Sequence, residues 1–221
     1  MKYKCIIFDC DGTLVDTLED IAAAMNHSLV IHGFPSVAVE KYRDMAGWGI
    51  VRLAALALPE TARVEDTIHA VAECAQRFMD EQPFEQNLAR PYPGIRELVQ
   101  ELSQAKKIST AVLSNKPDSV LRRLMNDLFG PGAFKSVCGL RPGIIAKPDP
   151  SAVWEILAEL GVNPHDTLFM GDSEIDIATA RNSGCYPLGV SWGFRSRATL
   201  EHAGAARIID RPEELWELTG K

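Results

Sequence analysis

Two repeats of apolar positions alternate along the chain. Residues 3–8 are short, β-branched and aromatic, and the run breaks off at Asp9-Cys10-Asp11-Gly12, which predicts a buried strand ending in a tight loop. The repeat then changes. Leu18, Ile21, Ala22, Met25 and Leu29 recur at helical spacing, Asp16 and Glu19 fit a capping box at the start, and Gly33-Phe34-Pro35 stops the helix. Helical spacing continues over 37–45, 48–58 and 61–81, with no strand among them. From Pro91-Tyr92-Pro93-Gly94 onward, helices over 95–105, 118–129, 150–160 and 175–183 alternate with strands over 108–113, 136–139, 167–170 and 186–190. A strand over 207–210 and a helix over 212–218 close the chain.

Such alternation implies right-handed βαβ units, and hence a parallel sheet covered on both faces. The expected class is α/β, a doubly wound Rossmann-like core. The all-helical stretch that interrupts it reads as an insertion, giving a core of residues 1–14 and 91–221 and an inserted helical cap domain over 15–90. In an open sheet of this kind, ligands bind outside the carboxyl ends of the strands. The insertion leaves from that same edge and is placed to close over it.

Composition narrows the class further. At 221 residues and 46% hydrophobic content, the chain has ample material for a core. A formal net charge of −7 argues against nonspecific nucleic-acid binding, so an anionic substrate must rely on local cations. The five cysteines are scattered and form no C-x-x-C, as expected of reduced thiols in a cytoplasmic protein. The first four residues run straight into the first strand with no room for a signal peptide, and no apolar stretch approaches the ~20 residues of a membrane span.

The chemistry collects at strand exits. Asp9 and Asp11 sit where the first strand emerges, and two adjacent carboxylates raise each other's pKa unless a cation joins them. Hard oxygen ligands of this kind suit Mg²⁺. A solvated turn is the plain alternative for a single D-x-D-G, but three further segments follow it. The run over 108–113 ends in Ser114-Asn115-Lys116-Pro117, Lys147 precedes Pro148-Asp149-Pro150, and the run over 167–170 ends in Gly171-Asp172-Ser173-Glu174-Ile175-Asp176. In order they supply a hydroxyl, a cation and more carboxylates, enough to hold one phosphoryl group and one metal ion.

This ordered set resembles the four signature motifs of the haloacid dehalogenase superfamily, in its phosphoglycolate-phosphatase-like branch, over nearly the whole chain. The resemblance implies a Mg²⁺-dependent phosphoric monoester hydrolase with an α-helical cap, acting on small phosphorylated metabolites, 2-phosphoglycolate first among them. It implies that Asp9 is the nucleophile, forming an aspartyl-phosphate, and that Asp11 protonates the leaving alcohol and then activates water. Asp9, the backbone carbonyl of Asp11 and Asp172 are the implied metal ligands, with Asp176 behind them or acting through water. Ser114 is expected to bind a phosphoryl oxygen, Lys147 to neutralise the phosphoryl group and Asp9, and Asn115 to orient Asp9 or contact substrate.

Specificity is less legible. Ala46-Gly47-Trp48-Gly49-Ile50 is either a loop reaching down to the site or a corner between helices with a packed Trp48. Arg43, Arg52, Arg63, Arg195 and Arg197 are candidate partners for a substrate carboxylate, although most arginines are surface charges. Cys10, between two acids, is a better packing residue than redox sensor. Competing readings are a phosphosugar mutase of the β-phosphoglucomutase type and, in a different class, a signalling protein phosphorylated on aspartate. A dehalogenase leaves Asp11 without a task, and the helical insertion and Lys147 segment do not suit a receiver domain of about half this length. A monomer or homodimer without a membrane partner is expected.

Overall fold

The computed structural model describes residues 3–105 and 108–219, so residues 1, 2, 106, 107, 220 and 221 of the expected core lie outside the described residues. Six parallel strands form one sheet in the order β5-β4-β1-β6-β7-β8: β1 (Cys5–Phe8), β4 (Ser109–Pro117), β5 (Ser136–Leu140), β6 (Thr167–Gly171), β7 (Tyr186–Val190) and β8 (Arg207–Ile209). Strand side chains point alternately to opposite faces. On β1, Ile6 and Phe8 enter an apolar cluster with Val112, Leu121 and Met170, whereas Cys5 and Ile7 enter another with Ala111, Val153 and Phe169. The helices α5 (Ile95–Ala105), α6 (Asp118–Phe129), α7 (Ser151–Leu160) and α8 (Glu174–Ser183) contribute to those two layers. The expected α/β class is observed.

A second sheet has only two strands, β2 (Val15–Asp16) and β3 (Arg90–Pro91), paired antiparallel. Between them lie α1 (Leu18–Ile31), α2 (Tyr42–Met45), α3 (Ile50–Ala57) and α4 (Glu65–Glu81). These helices have an apolar cluster of their own, including Met25, Tyr42, Leu53 and Val71, joined by Phe194 from the loop after β7. Among the described residues no helix is long and apolar enough to cross a membrane.

Several expected elements differ in detail. The capping box at Asp16 and Glu19 does not form: Asp16 is drawn into β2, and Thr17 is the helix cap without a side-chain hydrogen bond to it. The helix expected over 37–45 begins as a 3₁₀ turn, Val39–Lys41. That over 61–81 starts four residues late, at Glu65, because Val64 is extended and the acids Glu65 and Asp66 favour a fresh helix N-terminus. The helix α9 (Arg197–Ala203) has no counterpart in the sequence reading, since Leu200 is its one buried side chain and no apolar period marks it. The terminal segment over 212–218 divides into a 3₁₀ turn and α10 (Leu215–Thr219).

Candidate active site

Strand register assembles the site. Phe8 pairs with Val112 on one side and Met170 on the other. Asp9 follows one residue later, and Ser114 and Asp172 two residues later on their own strands, so all three emerge together beside β1. This is the switch point at which connections diverge to either side of the first strand. Asp9, Ser114 and Asp172 are buried, as are Lys147 and Asp176.

Lys147 holds two of the carboxylates. Its Nζ lies 2.7 Å from Asp9 Oδ1 and 2.6 Å from Asp176 Oδ1. Asp176 also completes a capping box at the start of α8: its Oδ2 accepts from Ser173 Oγ at 2.6 Å and from the Ser173 backbone N–H at 3.1 Å. A local helix-start signal thus fixes an acid that pairs with a distant lysine.

Asp172 rests in a cradle of glycine backbone. A Cβ on Gly12, where φ is +82°, would lie 2.4 Å from Asp172 Oδ2, and one on Gly193 would lie 2.5 Å from the same oxygen. No side chain larger than hydrogen fits at either position without moving the acid. The carboxylate accepts from the backbone N–H of Phe194 at 2.6 Å and from Thr13 Oγ1 at 3.3 Å.

Asp9, Asp172 and Asp176 each offer an oxygen within 4.8 Å of the others. Burial, and then the charge of Asp176, push Asp9 from 3.8 to about 7, against the pull of Lys147. Burial, Asp176 and Asp9 raise Asp172 well above the usual carboxylate range. Burial favours the neutral form of Lys147, but Asp176 and then Asp9 outweigh it and hold the ammonium charged. One cation among three buried acids leaves an excess of negative charge. A divalent cation with oxygen ligands would offset that excess, so the donor set and the cradle fit Mg²⁺.

Asp11 is held apart from this group. Its carboxylate accepts from Thr17 Oγ1 at 2.7 Å and from Lys116 Nζ at 2.8 and 3.1 Å. Lys116 has no role in the sequence reading, although it lies within Ser114-Asn115-Lys116-Pro117, yet it is only 8% exposed. Burial works against its charge, but Asp11 outweighs that and raises its pKa. Only the pairing of β1 with β4 reveals the contact, across 105 positions of sequence.

Asn115 is not bonded to Asp9. Its Oδ1 accepts from the Lys147 N–H at 2.8 Å, and its Nδ2 donates to the carbonyls of Gly47 at 2.9 Å and Lys147 at 3.1 Å. It fastens the Lys147 segment and the 46–50 loop to β4. That loop does reach the site: Gly47, Gly49 and Ile50 line a cavity of about 50 Å³ with Asp9, Asp11, Ser114 and Lys116. Trp48 instead lines an outer groove of about 1000 Å³ with Val51 and Leu140.

None of the candidate arginines lines the cavity that holds Asp9 and Asp11. Arg63 donates to Leu58 O at 3.1 Å, Arg197 pairs with Asp210, and Arg52 lines the outer groove. Arg43 donates to Gly193 O at 3.2 Å, while Arg195 pairs with Glu174 and donates to the carbonyls of Arg43, Asp44 and Ala46. Cys10 is buried, and burial followed by the Asp11 charge raises its thiol pKa well above the ordinary value.

Comparison with known proteins converges on one family. Residues 6–190 match the haloacid dehalogenase-like hydrolases. A phosphoglycolate phosphatase of Vibrio cholerae is 30% identical over 97% of this chain and 96% of its own length. An N-acetylmuramic acid 6-phosphate phosphatase of Pseudomonas aeruginosa is 32% identical over 99% of this chain and 95% of its own. A solved structure from Lactobacillus delbrueckii subsp. bulgaricus, whose assignment as a phosphoglycolate phosphatase is provisional, superimposes with a TM-score of 0.89 at 34% identity, covering 100% of both chains.

Proposed function

The chain belongs to the haloacid dehalogenase-like hydrolases, and on that premise we propose that this phosphatase cleaves compact phosphate monoesters through an aspartyl-phosphate, with 2-phosphoglycolate the first candidate substrate. The observation that carries the reading is the grouping of Asp9 with Lys147, Asp172 and Asp176, with Asp9 and Asp11 lining a cavity.

Asp9 is the nucleophile, attacking phosphorus in line and releasing the alcohol. Lys147, already 2.7 Å from Asp9, keeps its carboxylate oriented and opposes charge on the phosphoryl oxygens. Ser114 donates a hydrogen bond to one of those oxygens. Asp11 gives a proton to the departing oxygen and then accepts one from the water that cleaves the acyl phosphate. It must first leave Thr17 and Lys116, which hold it in the present arrangement. Asp9, the backbone carbonyl of Asp11 and Asp172 would hold a bound Mg²⁺, which would supply positive charge opposite the phosphoryl oxygens. Asp176 acts behind them by fixing Lys147.

Residues 15–90 act as a cap over a core of 1–14 and 91–221, enclosing small substrates and excluding phosphoproteins. Reaction in the cytoplasm agrees with five unpaired cysteines among the described residues. The decisive experiment is phosphate release from a panel of small phosphate esters with Mg²⁺, and with EDTA as control. No release from any ester with saturating Mg²⁺ overturns the reading. Transfer of the phosphoryl group back to a sugar, rather than to water, would favour a mutase.

A further inference from the structure

We propose that Lys116 selects the leaving group, favouring phosphate monoesters whose alcohol carries a carboxylate one carbon from the ester oxygen. The inference rests on the phosphatase reading and adds to it the residue that sets specificity. Three observations carry it.

First, the cavity that contains Asp9 and Asp11 has a single cationic side chain among the described residues that line it, and that is Lys116. Opposite the acids the wall is apolar, formed by Ile21, Met25, Leu53 and Met79. An anionic leaving group in this space has one place to put its charge. The arginines of the helical layer and of the 192–197 segment do not line it.

Second, the lysine is built to face the cavity. An ammonium carries three donors, and Asp11 takes two of them, at 2.8 and 3.1 Å. Asp11 also has an independent donor in Thr17 Oγ1 at 2.7 Å. Orienting Asp11 alone therefore does not require a buried charge on β4. A hydroxyl already serves that end, and burying a lysine is unfavourable unless its charge is used.

Third, the distances agree. Asp11 must reach the ester oxygen to protonate it, and Lys116 touches Asp11. A carboxylate carbon two bonds beyond that oxygen lies roughly 2.5 Å away at about 1.5 Å per bond. The substrate carboxylate then falls beside the ammonium as Asp11 turns toward the ester, so one anion replaces another on the same cation. A neutral alcohol offers no such exchange, and leaves Asp11 held by Lys116.

The test compares kcat/KM for 2-phosphoglycolate and for 2-hydroxyethyl phosphate, its neutral near-isostere, in the wild type, Lys116→Met and Lys116→Arg. The wild type should prefer the carboxylate by at least about tenfold, a modest share of what one buried charge pair supplies. Lys116→Met should slow both esters, since Asp11 loses a partner, but should erase that preference. Lys116→Arg should retain most of it. Circular dichroism of each variant checks that it is folded, and the wild-type ratio alone tests the idea should Lys116→Met not fold. Equal turnover of both esters by the wild type, or an equal loss on both in Lys116→Met, overturns the assignment and leaves the phosphatase reading intact. Failure of the wild type to hydrolyse either ester, or any other in the panel, overturns that reading instead.

Discussion

Phe194 donates its backbone N–H to Asp172 Oδ2 across 2.6 Å, while its ring is buried in the apolar cluster of the helices between β2 and β3. One residue thus joins a buried carboxylate of the site to the helical layer. Its neighbours brace it on both sides: Trp192 Nε1 donates to Thr13 O in the core at 3.0 Å, and Arg195 reaches the end of α2. Any shift of the helical layer pulls on the ring, and through it on the donor that positions Asp172.

Phe194→Ala keeps that backbone donor but removes its anchor. The variant should lose about 3 kcal/mol of stability, as usual for truncating a buried Phe. It should also need several times more Mg²⁺ for half-maximal activity, whereas Phe194→Leu should stay close to wild type in both. Urea denaturation and a Mg²⁺ titration of phosphate release read the two effects. An unchanged Mg²⁺ requirement would reduce Phe194 to a packing residue.

Asp9→Asn should abolish turnover, and it should also change how stability depends on pH. The folded-state pKa of Asp9 is raised from 3.8 to about 7, so the metal-free fold binds this proton more tightly than the unfolded chain does. Its contribution is fully present below 3.8 and is lost as pH rises through about 7. In EDTA, therefore, the melting temperature of Asp9→Asn should gain on wild type between about pH 5 and about pH 8. Saturating Mg²⁺ should shrink the gap, because the cation relieves the same repulsion in the wild type. A gap independent of both pH and Mg²⁺ would contradict the electrostatic account.

Lys147→Ala should lower kcat/KM by about a hundredfold to a thousandfold, the usual effect of deleting one preorganised charge at a transferring group. Asp172→Ala should instead weaken metal binding, so excess Mg²⁺ should partly restore it and leave Lys147→Ala unrepaired. Steady-state kinetics over a Mg²⁺ series separate the two. The reverse pattern would mean that the roles are exchanged.

Asp9, Ser114 and Asp172 are legible in the sequence because each falls within two residues of the end of an apolar run, and a parallel sheet brings such run ends to one edge. Lys147 and Asp11 are legible from their order among those motifs. Lys116 is not, since a lysine before proline ordinarily marks a solvated turn, and its burial follows only from the packing of β4 against β1. Trp192-Gly193-Phe194 belongs to the resemblance, but the contacts of Phe194 are not legible, since its partners are α1–α4, more than a hundred residues upstream. Asn115 is readable as a site residue but not as the clamp it is, because its partners are backbone groups, the carbonyls of Gly47 and Lys147 and the N–H of Lys147, that any residue could supply. Local pattern reports which residues emerge from the core; it does not report which distant backbone they meet.

The cysteines should be inert in the native protein. All five are buried and shielded from reagent, and burial lifts Cys5 to about 12 and Cys185 to about 11, so those two form almost no thiolate at neutral pH. A chromogenic disulfide reagent should titrate none of them rapidly until denaturant is added. Fast loss of activity with one equivalent of label on Cys10 would reopen a redox role for that residue.

The helical layer is tied down at two helix ends by arginines from outside it, one on α6 and one in the 192–197 segment. Arg123, on α6, donates to the carbonyls of Met79 and Asp80 near the end of α4, and Arg195 donates to those of Arg43, Asp44 and Ala46 around the end of α2. Helix C-termini present unpaired carbonyls and the negative end of the helix dipole, so each guanidinium satisfies acceptors and charge together. If residues 15–90 are a cap, these contacts bias it toward closure. Replacing both, as Arg123→Gln with Arg195→Gln, should raise KM for 2-phosphoglycolate and increase turnover of a bulky sugar phosphate relative to it, because the wall facing Asp11 recedes. Amide hydrogen exchange should quicken across 15–90 and stay unchanged in β1, β4 and β6, which reports loosening of the layer rather than of the sheet. Were the ranking of the two esters and the exchange pattern both to match wild type, the arginines would be ordinary surface ties and the layer would be held by its apolar contacts alone.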